Sequence, residues 1–345
     1  MPKNRSLDKR GHMFGKWFRW VLLAGAALAV LLGGASACQS TARKGTPEPE
    51  QFDTMPTLSP VKLSAGQRLR VVASTSIVAD VVLSIGGDGV ELRTLIPLGA
   101  DPHSFAATPQ DLAALADAHI VFINGAGLEA ALQPVLTDAI RQRKVVPVSS
   151  GIELLGSAEV GHEQEQQAGD GFDPHTWMDP NNVMVWARNV EFALSTLDPE
   201  RGSSYRARTE EYTRALADLD TWIQSQVAQV APANRKLVTD HTVFTYFARR
   251  YGFEQVGAVF PGYSTVAQPS AQELAQLETA IRANGVKVVF VGKTVNPALA
   301  QQVAKDTGRQ LVFLYTGSLG EIGGPADTYS AMMRCNVTAI VQGLR

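Results

Sequence analysis

The sequence predicts an α/β protein with two lobes, each containing a central, mainly parallel β-sheet flanked by helices, joined by one long α-helix. Short apolar runs alternate with helical patterns over residues 68–148, and a second series of the same kind begins after Pro232. Such alternation is typical of parallel sheets that helices cover on both faces. Between the two series, one helical pattern extends over residues 200–230, with no Gly or Pro after Gly202.

Composition supports two folded units. The chain has 345 residues, of which 45% are hydrophobic, 19% are charged and 7% are aromatic, and its formal net charge is −2. This length suggests about two domains, with enough apolar residues for two cores. The near-neutral charge gives no electrostatic reason to expect nucleic acid. The only cysteines, Cys38 and Cys335, do not make a disulfide scaffold, and we expect Cys335 to be a buried free thiol.

The first 37 residues have the layout of a secretory signal peptide. A basic region precedes a short apolar run at 21–34, and the small residues Ala35-Ser36-Ala37 lead directly to Cys38. The apolar run is shorter than the about 20 residues that span a membrane comfortably. Small residues before a lone Cys resemble a bacterial lipobox, although Ala35 replaces the usual Leu. We therefore predict a signal peptide at 1–37 and lipidation of Cys38, with plain cleavage or an uncleaved anchor as the alternative.

The chain from the cysteine onward divides into four segments. Residues 38–66 are rich in Pro and Ser, and their lack of periodicity predicts a flexible tether. A first lobe at 67–199 has predicted strands at 68–73, 91–96, 119–123 and 144–148, and helices at 77–85, 109–116 and 128–142. A second lobe at 233–345 has predicted strands at 236–239, 255–259, 286–291 and 310–314, and helices at 243–251, 271–283, 297–307 and 327–342.

Two helix starts are predicted by their capping residues. Thr108 can cap the helix that Pro109 opens, and Asp111 favours its positive end. Ser270 and Glu273 form a capping-box pattern at the start of a helix in the second lobe. These local signals agree with the apolar periodicity that follows each of them.

The connecting segment at 200–232 predicts one long helix. Its apolar residues recur at spacings of three, four and seven: Tyr205, Tyr212, Leu216, Leu219, Ile223, Val227 and Val230. About 30 helical residues span on the order of 45 Å, which is longer than a small domain needs. A coiled-coil partner is an alternative, but packing along both lobes explains the length better. We therefore expect a cleft between the lobes, which is where ligands of open α/β sheets usually bind.

Three of the six histidines are predicted to face this cleft. His103, His175 and His241 each follow a strand or precede a helix, and Asp-Pro-His occurs both at 101–103 and at 173–175. Proline fixes its own φ and pushes the preceding residue toward extended backbone, so each triplet presents its histidine from a rigid loop. Any one of the three, taken singly, reads as a hydrogen-bonded loop histidine. Three at equivalent positions instead predict convergent imidazoles, which suit Zn²⁺ with an open fourth position.

The remaining histidines carry less information. His119 begins an apolar strand, and we expect it to be structural. His162 lies in an insertion, residues 157–172, that contains four acidic residues and no Lys or Arg. This composition predicts a solvated mobile loop, with weak collection of metal ions as the alternative.

Several motifs together resemble one protein family. They are Gly99-Ala100-Asp101-Pro102-His103, Asn124-Gly125-Ala126-Gly127-Leu128-Glu129, residues 173–180, Asp240-His241 with Tyr246-Phe247-Ala248, Pro269-Ser270, and residues 314–320. From about residue 68 to the C-terminus, the chain resembles the substrate-binding lipoproteins of bacterial metal-ion (zinc/manganese) ABC transporters, the cluster that includes the ZnuA-like proteins. The resemblance implies two α/β lobes with metal between them, and it carries over His103, His175 and His241 as metal ligands.

The chain departs from the family pattern at two glycines. Many relatives have an acidic ligand where this chain has Gly317, and relatives often carry a Glu near Gly292. A glycine has no side chain that can bind a metal. The fourth ligand is then water, Glu321 or Asp240.

The resemblance implies an extracytoplasmic solute-binding protein, not an enzyme. It would capture a divalent transition metal ion and deliver it to an ABC permease, as a monomer anchored to the cell membrane by the lipid on Cys38. Manganese-type relatives tend to present a carboxylate where His241 stands, and nitrogen ligands favour Zn²⁺, so zinc is the predicted cargo. The alternatives are a manganese-binding homologue, a zinc hydrolase, and a metal-stabilised adhesin in cell adhesion. A His-Glu-x-x-His motif is absent from the sequence, which argues against the hydrolase.

Overall fold

The computed structural model describes residues 54–156 and 171–345, and it confirms an α/β fold with two lobes. The predicted signal peptide, Cys38 and most of the acidic insertion lie outside these residues. A four-stranded parallel sheet forms the centre of the first lobe, in the order β2-β1-β3-β4. Its strands are β1 (Leu69–Ala73), β2 (Val90–Thr94), β3 (Ile120–Ile123) and β4 (Val145–Pro147). All four residues of β3 are buried, as expected for an inner strand covered on both faces.

Helices of the first lobe cover this sheet. They are α1 (Ser76–Gly86), α2 (Pro109–Asp117), α3 (Gln133–Arg141) and α4 (Pro180–Leu197). The predicted capping of α2 is confirmed, because the Thr108 hydroxyl accepts a hydrogen bond from the Asp111 N–H and the Asp111 carboxylate accepts one from the Thr108 N–H. The continuous helix predicted at 128–142 is wrong: a 3₁₀ turn precedes α3. Pro134 is the reason, since it is tolerated in the first turn of a helix but not in the interior.

Two pairs of parallel strands form the centre of the second lobe. The pairs are β5 (Lys236–Thr239) with β6 (Glu254–Ala258) and β7 (Val288–Gly292) with β8 (Gln310–Leu314). Strand β5 runs alongside β7. The helices are α6 (Thr245–Tyr251), α7 (Ala271–Ala283), α8 (Ala298–Thr307) and α9 (Tyr329–Leu344), with α5 reserved for the connecting helix. The predicted capping box of Ser270 and Glu273 at the start of α7 is confirmed.

The connecting helix α5 (Gly202–Val227) packs along both lobes, as predicted. It lies against α1 and α4 of the first lobe and against α9 of the second. Most of its apolar stripe is fully buried within this chain: Tyr205, Leu216, Leu219, Ile223 and Val227. The chain itself therefore occupies the face that a coiled-coil partner would need.

The predicted tether is wrong for residues 54–66. This segment has no regular secondary structure and lies against the folded core, where the Val61 N–H donates to the Leu197 carbonyl at 2.8 Å. Its partly buried apolar side chains are Met55, Leu58, Val61 and Leu63. Pro and Ser content correctly indicated irregular backbone, but it does not reveal whether an irregular segment has a surface to pack on.

Two single-residue expectations have different outcomes. Cys335 on α9 is half-buried rather than buried, and its thiol donates to the Pro325 carbonyl at 2.8 Å. His119 accepts a hydrogen bond from the Arg70 N–H through its Nδ1 at 2.9 Å, which is a structural contact between two strand segments. Among the helices in the described ranges, none has the length and apolar character needed to cross a membrane.

Candidate metal centre

The structure brings the three predicted histidines together. The Nε2 atom of His175 lies 3.1 Å from the Nε2 of His103 and 3.1 Å from the Nε2 of His241. His103 and His175 belong to the first lobe, whereas His241 belongs to the second. One nitrogen from each ring lies within 4.8 Å of the other two. A tetrahedral zinc ion with Zn–N bonds of about 2.0–2.1 Å separates its nitrogen ligands by about 3.3 Å, so the cluster has the dimensions of a metal site.

The His175 arm is held by its own sequence neighbours. Asp173 accepts hydrogen bonds from both the backbone N–H of His175, at 2.9 Å, and its ring Nδ1, at 2.6 Å. Asn124, at the end of β3, donates to the Pro174 carbonyl at 2.9 Å. A single 3₁₀ turn at Thr176–Met178 then leads into α4, whose N-terminus Asp179 caps. The histidine is therefore presented from a buried turn that these hydrogen bonds hold in place.

Contacts from the second lobe also fix this arm. The Tyr246 hydroxyl donates to the Asp173 carbonyl at 2.9 Å. The indole N–H of Trp177 donates to the Thr316 carbonyl at 3.1 Å, and the Tyr329 hydroxyl donates to the Trp177 carbonyl at 2.7 Å. The His175 ring packs edge-on against Trp177, with 5.1 Å between ring centroids. Both lobes thus contribute to the position of one imidazole.

His241 follows β5 directly and repeats the same carboxylate contact. Asp240 lies 3.1 Å from the Nδ1 of His241 and accepts a hydrogen bond from its backbone N–H. The second oxygen of Asp240 accepts a hydrogen bond from the Gly292 N–H at the end of β7, at 2.9 Å. Asp240 is therefore anchored to the neighbouring strand, and it contacts the His241 ring at Nδ1, on the side away from the cluster of Nε2 atoms.

The carboxylates determine which nitrogen of each ring can bind a cation. An ionised carboxylate only accepts hydrogen bonds, so the Nδ1 of His175 and of His241 must carry a proton. In the neutral rings, both Nε2 atoms then present lone pairs. These two Nε2 atoms lie 3.1 Å apart, and facing lone pairs repel unless a positive charge lies between them. The arrangement is suited to a metal ion.

Burial favours the neutral forms of His103 and His175 by lowering their pKa values. It lowers the pKa of His103 well below 6.5. Two further imidazoles beside it, those of His175 and His241, lower this pKa further because positive charges on neighbouring rings repel each other. Burial also lowers the pKa of His175, although Asp173 opposes the change. For Asp240, burial acts to raise the pKa, but His241 and the backbone N–H groups outweigh it and lower that pKa. Neutral nitrogens backed by ionised carboxylates are the state that binds a metal.

Neither predicted fourth ligand joins the cluster in the described part of the chain. Glu321 is exposed, and Asp240 is occupied behind the His241 ring. The two glycines that depart from the family pattern, Gly292 and Gly317, lie at sterically crowded positions. A Cβ at Gly292 would lie 2.1 Å from the Thr316 hydroxyl, and a Cβ at Gly317 would lie 2.9 Å from the Pro102 ring. These positions leave no room for acidic side chains unless the neighbouring residues move.

Sequence reasoning did not find the supporting residues Asn124, Trp177 and Asp173. Asp173 had a detectable signal, since an Asp two residues before the histidine occurs in both Asp-Pro-His triplets. Asn124 contacts a residue 50 positions away and Trp177 contacts one 139 positions away, so no local sequence pattern predicts these contacts.

Comparison with known proteins identifies the family. The family model described as "Zinc-uptake complex component A periplasmic" (ZnuA) matches residues 71–343. The chain belongs to this family. The ZnuA match covers both lobes, the connecting helix and all three histidines, and it confirms the resemblance noted from the motifs.

Relatives and solved structures agree with this membership. The manganese-binding lipoprotein MntA of Halalkalibacterium halodurans is 32% identical over 280 residues, which cover 81% of this chain and 89% of MntA. The iron ABC transporter substrate-binding lipoprotein MtsA of Streptococcus pyogenes serotype M1 is 28% identical over 336 residues, which cover 94% of this chain and 98% of MtsA. The periplasmic zinc-binding protein TroA of Treponema pallidum superposes with a TM-score of 0.72 at 27% identity, covering 81% of this chain and 99% of TroA.

Proposed function

We propose that this chain is the extracytoplasmic substrate-binding protein of an ABC transporter that takes up a divalent transition metal, with zinc as the cargo. His103, His175 and His241 bind the ion in the cleft between the lobes. The protein then delivers it to a permease in the cytoplasmic membrane. Membership of a family of metal-binding transporter components supports the general role.

One observation carries the metal-binding role. Asp173 and Asp240 orient two buried imidazoles so that their Nε2 lone pairs face each other at 3.1 Å, with the third imidazole alongside. The same two carboxylates, both buried, supply two negative charges around a site that receives a dication. A buried cation is costly unless nearby charges compensate it, so the aspartates offset the missing carboxylate at position 317.

The choice of zinc rests on the donor set. The relatives are named for manganese, iron and zinc, so their names do not select one metal. Three imidazole nitrogens suit Zn²⁺, whereas Mn²⁺ prefers oxygen ligands and stands lower in the affinity order for a given site. Water completes a tetrahedral zinc site without any further protein ligand. A manganese-binding protein is the second candidate.

Delivery to a membrane permease requires the protein to stay near the membrane. The signal peptide and Cys38 in the sequence support export and lipid anchoring, as do the relatives named as lipoproteins. We propose that the mature protein acts as a monomer, held outside the cytoplasm by the lipid on Cys38. Mass spectrometry of membrane-extracted protein tests the anchor: an unmodified N-terminus at any residue other than Cys38 would contradict it.

The enzyme and adhesin alternatives differ in what they require of the metal. A zinc hydrolase would turn over substrate and lose activity with a chelator. A metal-stabilised adhesin would unfold, or lose its fold cooperativity, once the ion is removed. A transport protein instead binds one ion reversibly and remains folded without it. Circular dichroism of the metal-free protein separates the last two cases.

Metal content and competitive affinity test the proposal directly. We expect one zinc ion per chain, a preference for Zn²⁺ over Mn²⁺, and large losses of zinc affinity in His103→Ala, His175→Ala and His241→Ala. His119→Ala is the matched control, because His119 lies outside the cluster. If all three alanine variants bound zinc as tightly as the wild type, the assignment of the site would be wrong.

A further inference from the structure

The three imidazoles are supported in two different ways. For His175 and His241, a carboxylate contacts the ring at Nδ1. For His103, the neighbouring carboxylate of Asp101 instead accepts a hydrogen bond from the backbone N–H, at 3.0 Å. Asp101 therefore fixes the main chain of the His103 arm, residues 97–108, rather than the ring. Of the three histidines, His103 is also the one that is only half-buried.

The second oxygen of Asp101 is held from across the cleft. The Thr265 hydroxyl, in the loop between β6 and α7 of the second lobe, donates a hydrogen bond to Asp101 Oδ2. The hydroxyl of Ser104 reaches the same oxygen at 3.3 Å, but Ser104 is exposed and belongs to the arm itself. Thr265 thus links the carboxylate that holds the His103 backbone to the opposite lobe.

This link lies in a wider contact between the same two regions. The Ser318 hydroxyl of the second lobe accepts a hydrogen bond from the Gly99 N–H in the His103 arm, at 3.0 Å. The Pro102 ring packs against Gly317, where a Cβ would approach it to 2.9 Å. The arm therefore contacts the second lobe over residues 99–102. The Thr265 hydrogen bond reaches the His103 backbone through one residue, Asp101.

We propose that Thr265 is a positioning residue for metal binding. By holding Asp101 from the second lobe, it keeps His103 in the ligating position only while the lobes are together. Asp173 and Asp240, by contrast, each contact the ring of a histidine in their own lobe. This inference rests on the proposed function, in which the three histidines bind the transported ion.

Zinc dissociation kinetics test the role of Thr265. The protein is purified from cells in detergent, loaded with zinc, and mixed with excess chelator. We expect Thr265→Val to raise the dissociation rate by about 10- to 100-fold, the range typical of lost support around a metal ligand. Thr265→Ser keeps the hydroxyl and should restore a rate within about threefold of the wild type. Thr279→Val is the matched control, since Thr279 lies on the exposed face of α7 and bonds only within its own helix.

A double-mutant cycle separates positioning from a general structural effect. If Thr265 acts through His103, then Thr265→Val should change zinc dissociation little in a His103→Ala background. Visible absorption of the Co²⁺-loaded protein provides a second readout, and the Thr265→Val spectrum should move toward that of His103→Ala. An unchanged dissociation rate in Thr265→Val, or an equal effect with and without His103, overturns the inference. A wild-type protein that binds no zinc would instead overturn the proposed function.

Discussion

Asp173 binds His175 twice, through the ring Nδ1 at 2.6 Å and through the backbone N–H at 2.9 Å. Both side chains are buried, and the Asp-Pro-His spacing allows one carboxylate oxygen to make both contacts. The oxygen fixes the orientation of the ring and its tautomer together.

Removing the Asp173 carboxylate should weaken zinc binding. We expect Asp173→Ala to lower the affinity by about 10- to 100-fold, because the His175 ring loses its orientation and the site loses a negative charge. Asp173→Asn should cost less, since an amide oxygen can still accept the Nδ1–H. Competitive zinc titration measures both variants, with the exposed Asp138→Asn as the control. Equal affinities for Asp173→Ala and the control would contradict the role of Asp173.

Zinc affinity should depend on pH less than free histidine would suggest. Burial lowers the pKa of His103 and of His175 below 6.5, so protons begin to compete with the metal only below that pH. We expect a nearly constant affinity from pH 8 to about 6.5 and a decline at lower pH. Chelator-competition titrations, corrected for protonation of the chelator, measure this dependence. A steep loss of affinity already between pH 8 and 7 would disagree with neutral buried imidazoles.

Asp80 on α1 should lower stability at neutral pH. Its burial raises the pKa to about 6, although its carboxylate accepts a hydrogen bond from the Tyr329 N–H at the start of α9. The native state therefore binds more protons than the unfolded state between about pH 4 and 6, and stability falls as the pH rises through this window. Asp80→Asn keeps the acceptor and removes the charge. We expect it to stabilise the protein by about 1–2 kcal/mol at pH 7, after allowance for partial exposure.

Urea unfolding at several pH values checks the Asp80 prediction. The advantage of Asp80→Asn over the wild type should grow from pH 4 to pH 7. An advantage that is constant with pH, or that shrinks toward neutrality, would rule out the carboxylate charge as its cause.

The ion pair between Arg250 and Asp220 should contribute strongly to stability. Asp220 on α5 is buried, and Arg250 on α6 donates to it at 2.8 and 2.6 Å. We expect Arg250→Met to lower the free energy of unfolding by about 2–3 kcal/mol, because it leaves a buried carboxylate without its cation. The adjacent Arg249 pairs with the exposed Glu153, so Arg249→Met should change stability by no more than about 1 kcal/mol. Similar losses in the two variants would contradict the distinction.

A methyl group at Gly317 should disturb metal binding rather than folding. Its Cβ would lie 2.9 Å from the Pro102 ring, so the residue next to His103 must shift. We expect Gly317→Ala to weaken zinc affinity several-fold, with little change in the melting temperature of the metal-free protein. Gly202→Ala provides the control, since the nearest atom to its Cβ is 3.6 Å away. Wild-type affinity in Gly317→Ala would mean that Pro102 can move freely.

Local patterns predicted most of the fold and the three histidines. Strand–helix alternation predicted the two lobes, and the capping residues of α2 and α7 predicted where these helices begin. One error occurred where the outcome depended on distant residues. The tether prediction failed at residues 54–66 because their apolar side chains find a surface formed by other segments. The error in the helix predicted at 128–142 has a local cause, because Pro134 is tolerated in the first turn of a helix and not in its interior.

By itself, the sequence determined the α/β class, the long connecting helix and the histidines that converge, since each depends on periodicity or on position after a strand. Only the tertiary structure decided how those histidines are supported. Asp240 is tied to Gly292, 52 residues away, and Asp101 is tied to Thr265, 164 residues away. Hydrogen bonds require donor and acceptor within about 3 Å of each other, and only folding brings such distant segments that close.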